Sequence, residues 1–147
     1  MTTIVRVLLV MALLLTAPLA QSQNKVPSER ALEALVKATL LTFNDANVTG
    51  NYEVFHAKLS KPFREQFSVE RLARRFQDFN KKHIDFDIVA ALKPAYDPAP
   101  KVDDDGKLLV KGLFPTEPKQ VHFSLEFIPS DGEWKLIGIN VKIGDPN

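Results

Sequence analysis

The stretch Val121-His122-Phe123-Ser124-Leu125-Glu126-Phe127, followed by Ser130-Asp131-Gly132-Glu133-Trp134-Lys135-Leu136, decides the fold. Its first seven residues alternate apolar and polar with a period of two, the signature of a strand buried on one face. Ser130-Asp131-Gly132-Glu133 then supplies a tight turn, so the chain doubles back as a hairpin. The returning strand, residues 134–143, holds a conflict of parity. Trp134 and Leu136 fall on one parity, whereas Ile137, Ile139, Val141 and Ile143 fall on the other. A bulge near Gly138 would reconcile the two sets, and covering of both faces would serve as well. Helices packed over one end of the strand are the expected solution.

Upstream, residues 107–114 read as another strand, with Pro115 and Pro118 bracketing the turn that follows. Pro94, Pro98 and Pro100 with Asp103-Asp104-Asp105-Gly106 read as a long loop, because proline gives a ladder no donor and adjacent carboxylates repel. Before that loop, Ile84, Phe86, Ile88, Ala90 and Leu92 alternate with Asp85, Asp87, Val89 and Ala91, which predicts a further strand over residues 84–92. The first half of the chain changes period. Pro27-Ser28-Glu29 offers a helix start, and Leu32, Leu35, Val36, Thr39, Leu40 and Phe43 recur at helical spacing up to a stop between Asn47 and Gly50. Tyr52, Phe55 and Leu59 mark a second helical segment, and Pro62 suits the first turn of a short piece anchored by Phe63 and Phe67. Ser68 caps a third helix with the stripe Val69, Leu72, Ala73, Phe76 and Phe79. The class is therefore α+β, with N-terminal helices packed on a curved antiparallel sheet of about four strands, an α+β roll or cystatin-like cone.

This order, helices over residues 31–47, 52–67 and 69–81 and then a meander ending in Gly132-Glu133-Trp134-Lys135-Leu136, resembles the nuclear-transport-factor-2-like superfamily, which includes the ketosteroid isomerases. The resemblance covers nearly all of the chain after its first 22 residues. It implies a cone-shaped fold with a pocket between sheet and helices, frequent dimers, and members that are isomerases, dehydratases or non-catalytic binding modules. Fold alone does not choose among these.

The N-terminus reads as an export signal. Arg6 precedes the apolar run of residues 7–15, and Ala17, Ala20 and Ser22 supply a small-residue cleavage region. A membrane span needs about 20 apolar residues, and Pro18 interrupts this run well short of that. Ala20 and Ser22 fit the third-last and last positions before the cut, so residues 1–22 are expected to leave and residues 23–147 to form one periplasmic or secreted domain with no stable membrane anchor. Lys and Arg number 19 against 18 Asp and Glu, and removing Arg6 balances them. A balanced domain is no nucleic-acid binder, which needs surplus cations to displace counterions from phosphates. With no cysteine, disulfides, zinc–thiolate sites and thiol nucleophiles are excluded, and the fold must be held by packing. That pattern suits a bacterial periplasm.

Acid–base candidates are His56, His83, His122, Asp85, Asp87 and Glu126. His122 and Glu126 lie on the polar parity of their strand, where solvation explains them, and Asp85 and Asp87 alternate with core residues in the same way. His83 marks a helix end, and His56 sits one residue past Phe55, edging towards the core. An isomerase of the resembled type needs a carboxylate base and an oxyanion donor facing one apolar pocket, and no such pair is identifiable. The three histidines lack paired metal-ligand spacing, residues 103–106 lack the spaced ligands of a calcium loop, and six glycines form no phosphate loop. No cofactor or metal is expected. Asn47-Val48-Thr49 matches a glycosylation acceptor in an expected surface turn, and Arg64, Arg71, Arg74, Arg75, Lys81 and Lys82 form a basic stripe best read as a solvated face.

The expected function is an exported, non-catalytic module that binds a small molecule or a protein through a helix–sheet pocket or the sheet face. Phe55, His56, Leu72, Phe76, Phe86, Phe123 and Phe127 are the expected pocket lining. The alternatives are an isomerase- or dehydratase-type enzyme using a pocket carboxylate or His, and a structural module that homodimerises through the sheet.

Overall fold

Residues 25–146 are described by the computed structural model; the expected export signal and its cleavage near Ser22 lie outside the described residues. Helix α1 (Glu29–Thr49) starts where the Ser28 hydroxyl accepts from the Ala31 N–H at 3.3 Å, satisfying one donor that a helix start leaves open. It ends at Gly50, whose φ of 73° lets its N–H reach back to the Ala46 carbonyl at 2.8 Å. Leu32, Val36, Leu40 and Phe43 form its buried stripe. Helices α2 (Glu53–Lys58) and α3 (Lys61–Gln66) follow, with Pro62 in the first turn of α3.

The expected third helix is two. Ser68 caps α4 (Val69–Arg75), accepting from the Arg71 N–H, and the chain breaks at Phe76 (φ −105°, ψ 12°) before α5 (Gln77–Lys81). On either side of the break, Phe76 and Phe79 both meet the Phe43 ring edge-on, with centroids 4.8 and 5.4 Å away. Edge-to-face contacts of this kind are favoured by the ring quadrupoles.

The strand expected over residues 84–92 is not formed; a 3₁₀ helix, Asp87–Ala91, stands there. Its cause is the buried Asn44 of α1, whose Oδ1 accepts from the Phe86 N–H at 2.9 Å and whose Nδ2 donates to Asp85 at 2.8 Å. Asp85 also accepts from the Asp87 N–H at 3.1 Å. Side-chain bonds to the backbone of this kind compete with a ladder. The buried residues are Phe86 and Val89, three apart, as a 3₁₀ turn requires, and Ile88 is 53% exposed. Lys37 holds the far end, donating to the Ala90 carbonyl at 3.1 Å.

Two short strands emerge from the expected loop, β1 (Ala95–Tyr96) and β2 (Lys101–Val102), and both pair antiparallel with β3 (Leu108–Phe114). A Cβ on Gly112 would stand 2.2 Å from the Ala95 carbonyl oxygen, so only glycine allows β1 this close. Strands β4 (Gln120–Ser130) and β5 (Glu133–Gly144) complete an antiparallel sheet ordered β1-β3-β4-β5. In the turn, Asp131 and Gly132 both take positive φ, 50° and 79°, as a two-residue hairpin requires.

The parity conflict in β5 is resolved by the bulge, not by covering of one end. Glu126 pairs with Gly138 while Phe127 pairs with Leu136, which leaves Ile137 as the extra residue. Trp134 and Leu136 thereby share the inner face with Ile139, Val141 and Ile143, opposite Phe127, Leu125, Phe123 and Val121. That face and the α1 stripe form one core. The fold is α+β, five helices against a five-stranded antiparallel sheet among the described residues.

Candidate functional site

Beside the core stripe of α1 runs a second stripe of Ala31, Leu35, Ala38, Thr39 and Thr42, half-buried or exposed. It forms one wall of a cleft of about 590 Å³. The opposite wall is the β4–β5 hairpin with Trp134, Leu136 and Phe127, and Phe55 and Leu59 of the α2 region close the end. Alanines at positions 31, 38 and 57 leave the space open. The two threonines turn inward on their own helix, donating to the Leu35 and Ala38 carbonyls at 2.8 Å each, so their hydroxyl protons are engaged. The charged groups in the lining are Lys58, Glu133 and Lys135. Lys58 lies 3.4 Å from the Thr42 hydroxyl, and neither lysine forms an ion pair among the described residues. The site is thus an apolar trough with a net positive rim, of the size that small-molecule sites commonly have.

Of the seven residues expected to line a pocket, Phe55 and Phe127 line this cleft. Leu72, Phe86 and Phe123 are buried in the core and Phe76 packs on Phe43. His56 is half-buried, its ring Nε2 3.4 Å from the Arg64 carbonyl. Leu35, Ala38, Thr39 and Trp134 are the lining that sequence reasoning missed. The available signal was the spacing of Ala31, Leu35 and Ala38, two small residues about a large one, beside the core stripe.

The polar candidates do not converge on the cleft. His122 and Glu126 stand on the outer sheet face, His122 between Leu113 and Lys142, and Glu126 between Leu109 and Gly138. A second groove of about 620 Å³ lies there, lined by Asp97, Lys111, His122, Ser124, Asn140 and Lys142 among others. Asp85 is engaged by Asn44, Asp87 begins the 3₁₀ helix, and exposed His83 takes a left-handed turn (φ 53°) after α5. Among the described residues, no three His, Asp or Glu side chains are grouped to hold a metal ion, and no helix is long and apolar enough to cross a membrane.

One surface reading changes. Asn47 is fully buried and accepts a hydrogen bond from the Tyr52 hydroxyl, so its side chain lies in the interior and not in a surface turn. Burial raises Tyr52 from 10.0 to about 12. Burial also raises Tyr96, with Glu33 and Glu29 adding to the effect. In the basic stripe, Arg64 donates to the Leu59 carbonyl, and Arg71 donates to the Gln66 carbonyl at 2.9 Å while lying over the Phe67 ring. Arg64 thus braces the α2–α3 junction and Arg71 the α3–α4 junction. The acidic run is a hairpin turn in which Asp103 accepts from the Asp105 and Lys107 N–H groups.

Comparison with family models, with curated proteins and with solved structures finds no match for this chain.

Proposed function

We propose that residues 23–147 form an exported, non-catalytic binding module that takes a small amphipathic molecule, with an acyl-like body and an anionic end, into the cleft between α1, α2 and the β4–β5 hairpin. The observation that carries this reading is the lining itself: the apolar side chains of Leu35, Phe55, Leu59, Phe127, Trp134 and Leu136, with two lysines at the rim that form no ion pair among the described residues. Apolar area supplies the affinity and the lysines orient the head. Export rests on Arg6, the apolar run of residues 7–15 and the small residues before position 23. Membership in the nuclear-transport-factor-2-like superfamily belongs to the same proposal, supported by the order of helices before a meander and by the Gly132–Leu136 run at its closing hairpin.

Trp134 is the sole tryptophan of the chain and lines the cleft, so its emission reports occupancy directly. Titration with straight-chain carboxylates and the matching alcohols is expected to give a saturable change. Each added methylene should tighten binding by about 0.8 kcal/mol, roughly fourfold, until the cleft is full. Carboxylates should bind more tightly than alcohols, and the difference should shrink with salt. An unchanged Trp134 emission across both series would overturn the reading. For export, the secreted form should begin at residue 23; Met1 retained on a membrane-bound form would refute it.

A further inference from the structure

The two edges of the sheet are treated differently. Along β3 the edge is blunted by the two-residue strands β1 and β2 and by the proline-rich connection between them, which is how edges are normally guarded. Along β5, among the described residues, the backbone bond to the outer edge is at Leu136, whose carbonyl accepts from the Ser60 N–H at 2.9 Å. From Gly138 to Gly144 the outer edge of β5 has no strand partner among the described residues. These seven residues contain no proline and one charge, Lys142.

The orientation of the free backbone groups follows from the ladder. The Lys111 carbonyl accepts from Asp97 at 2.9 Å, so Lys111 faces away from β4. Its partner Ser124 therefore bonds to β5, through Asn140. Backbone groups alternate along an antiparallel strand, so those of Ile139, Val141 and Ile143 point to the open edge. Their side chains lie half-buried on the inner face.

We propose that this edge pairs with the same edge of a second copy, antiparallel about a twofold axis at Val141, continuing one sheet through both subunits. The free segment is centred on that residue. In this register Val141 meets the partner's Val141, exchanging two backbone hydrogen bonds, and Ile139 meets the partner's Ile143 in one apolar row. Asn140 faces the partner's Lys142, so the one charge on the edge never opposes itself, and Gly138 faces the partner's Gly144. A patch that is its own complement is what an isologous contact needs, and strand addition supplies the main-chain bonds.

The chain has no cysteine, so single cysteines read the register without background. Cα atoms of a hydrogen-bonded antiparallel pair stand about 5.5 Å apart, within disulfide reach. Val141→Cys should form a covalent dimer under mild oxidation, while Lys142→Cys alone and Asn140→Cys alone stay monomeric. Mixing Asn140→Cys with Lys142→Cys should cross-link one to the other, a test that leaves Val141 in place should its variant fail to fold. The unmodified chain should sediment as a dimer at high micromolar concentration and dissociate on dilution. A monomer throughout, or Lys142→Cys cross-linking to itself as readily as Val141→Cys, would overturn the proposal; the latter would place the contact on the outer sheet face.

Discussion

Replacing Ala38 by phenylalanine separates the binding cleft from the stability of the fold. Ala38 is an exposed position on α1 whose side chain borders the cleft across from Trp134, so the new ring has space to enter without displacing the core stripe. Helix propensity alone makes the change cost about 0.5 kcal/mol, partly offset by apolar contact with Leu35 and Trp134. Thermal stability should therefore move little. For a ligand lying along the trough the effect is large. A ring that displaces four methylenes removes about 3 kcal/mol of transfer energy at about 0.8 kcal/mol each, a loss of affinity above roughly 100-fold. The assay is the Trp134 emission titration with a long-chain carboxylate, run beside thermal unfolding of the same samples. Undiminished affinity in Ala38→Phe with an intact fold would refute the placement of the ligand in this cleft.

Three further outcomes follow from the fold. Asn44→Ala removes the bonds to Asp85 and to the Phe86 N–H; leaving that buried donor unpaired should cost about 2–3 kcal/mol in urea unfolding, and Asn44→Asp should recover none of it, since its carboxylate would stand against that of Asp85. Both tyrosines of the chain are raised above 10.0, Tyr52 to about 12, so phenolate absorbance of the folded protein at pH 10 should fall well below that of the urea-unfolded chain. Because the folded state holds the Tyr52 proton more tightly, this contribution to stability is complete below pH 10 and is lost as pH rises towards 12. Gly112→Ala places a methyl 2.2 Å from the Ala95 carbonyl oxygen; β1 must move off, at about 1–3 kcal/mol, and the Asp97 amide, now bonded to Lys111, should lose hydrogen-exchange protection.

The period-two pattern of β4 and the Asp131-Gly132 turn were legible because each residue there obeys one local rule: inward apolar, outward polar, positive φ at the turn. The parity break in β5 was legible, and a bulge near Gly138 was one of its two readings, but the pattern alone did not choose it over covering of one end. Only the register shows that Ile137 is the extra residue. The segment 84–92 misled because alternation of apolar and polar residues says nothing of Asn44, forty residues upstream, whose amide engages Asp85 and Phe86 and bends the chain into a 3₁₀ turn. Likewise, Phe76 and Phe79 satisfy a helical spacing, yet the single ring of Phe43 receives both across a break.

The cleft was harder to read because its walls come from elements distant in sequence and its defining residues are small. Ala31 and Ala38 matter for the volume they leave, and a hydrophobic pattern weights large side chains. Phe55 and Phe127 were found because they are large and inward; Leu72, Phe86 and Phe123 belong to the same buried core but do not border this cleft. Inwardness identifies a buried face. It does not distinguish a packed interior from the floor of an opening.

The measurement that bears most directly on the account is the map of backbone and methyl chemical shifts as a long-chain carboxylate is added to the isotopically labelled chain. The perturbed signals should cluster on Leu35, Ala38, Thr39, Phe55, Trp134 and Leu136, with Lys58 and Lys135 at the margin. Shifts confined to the outer groove at Lys111, His122 and Lys142, or none beyond those of a buffer control, would contradict it.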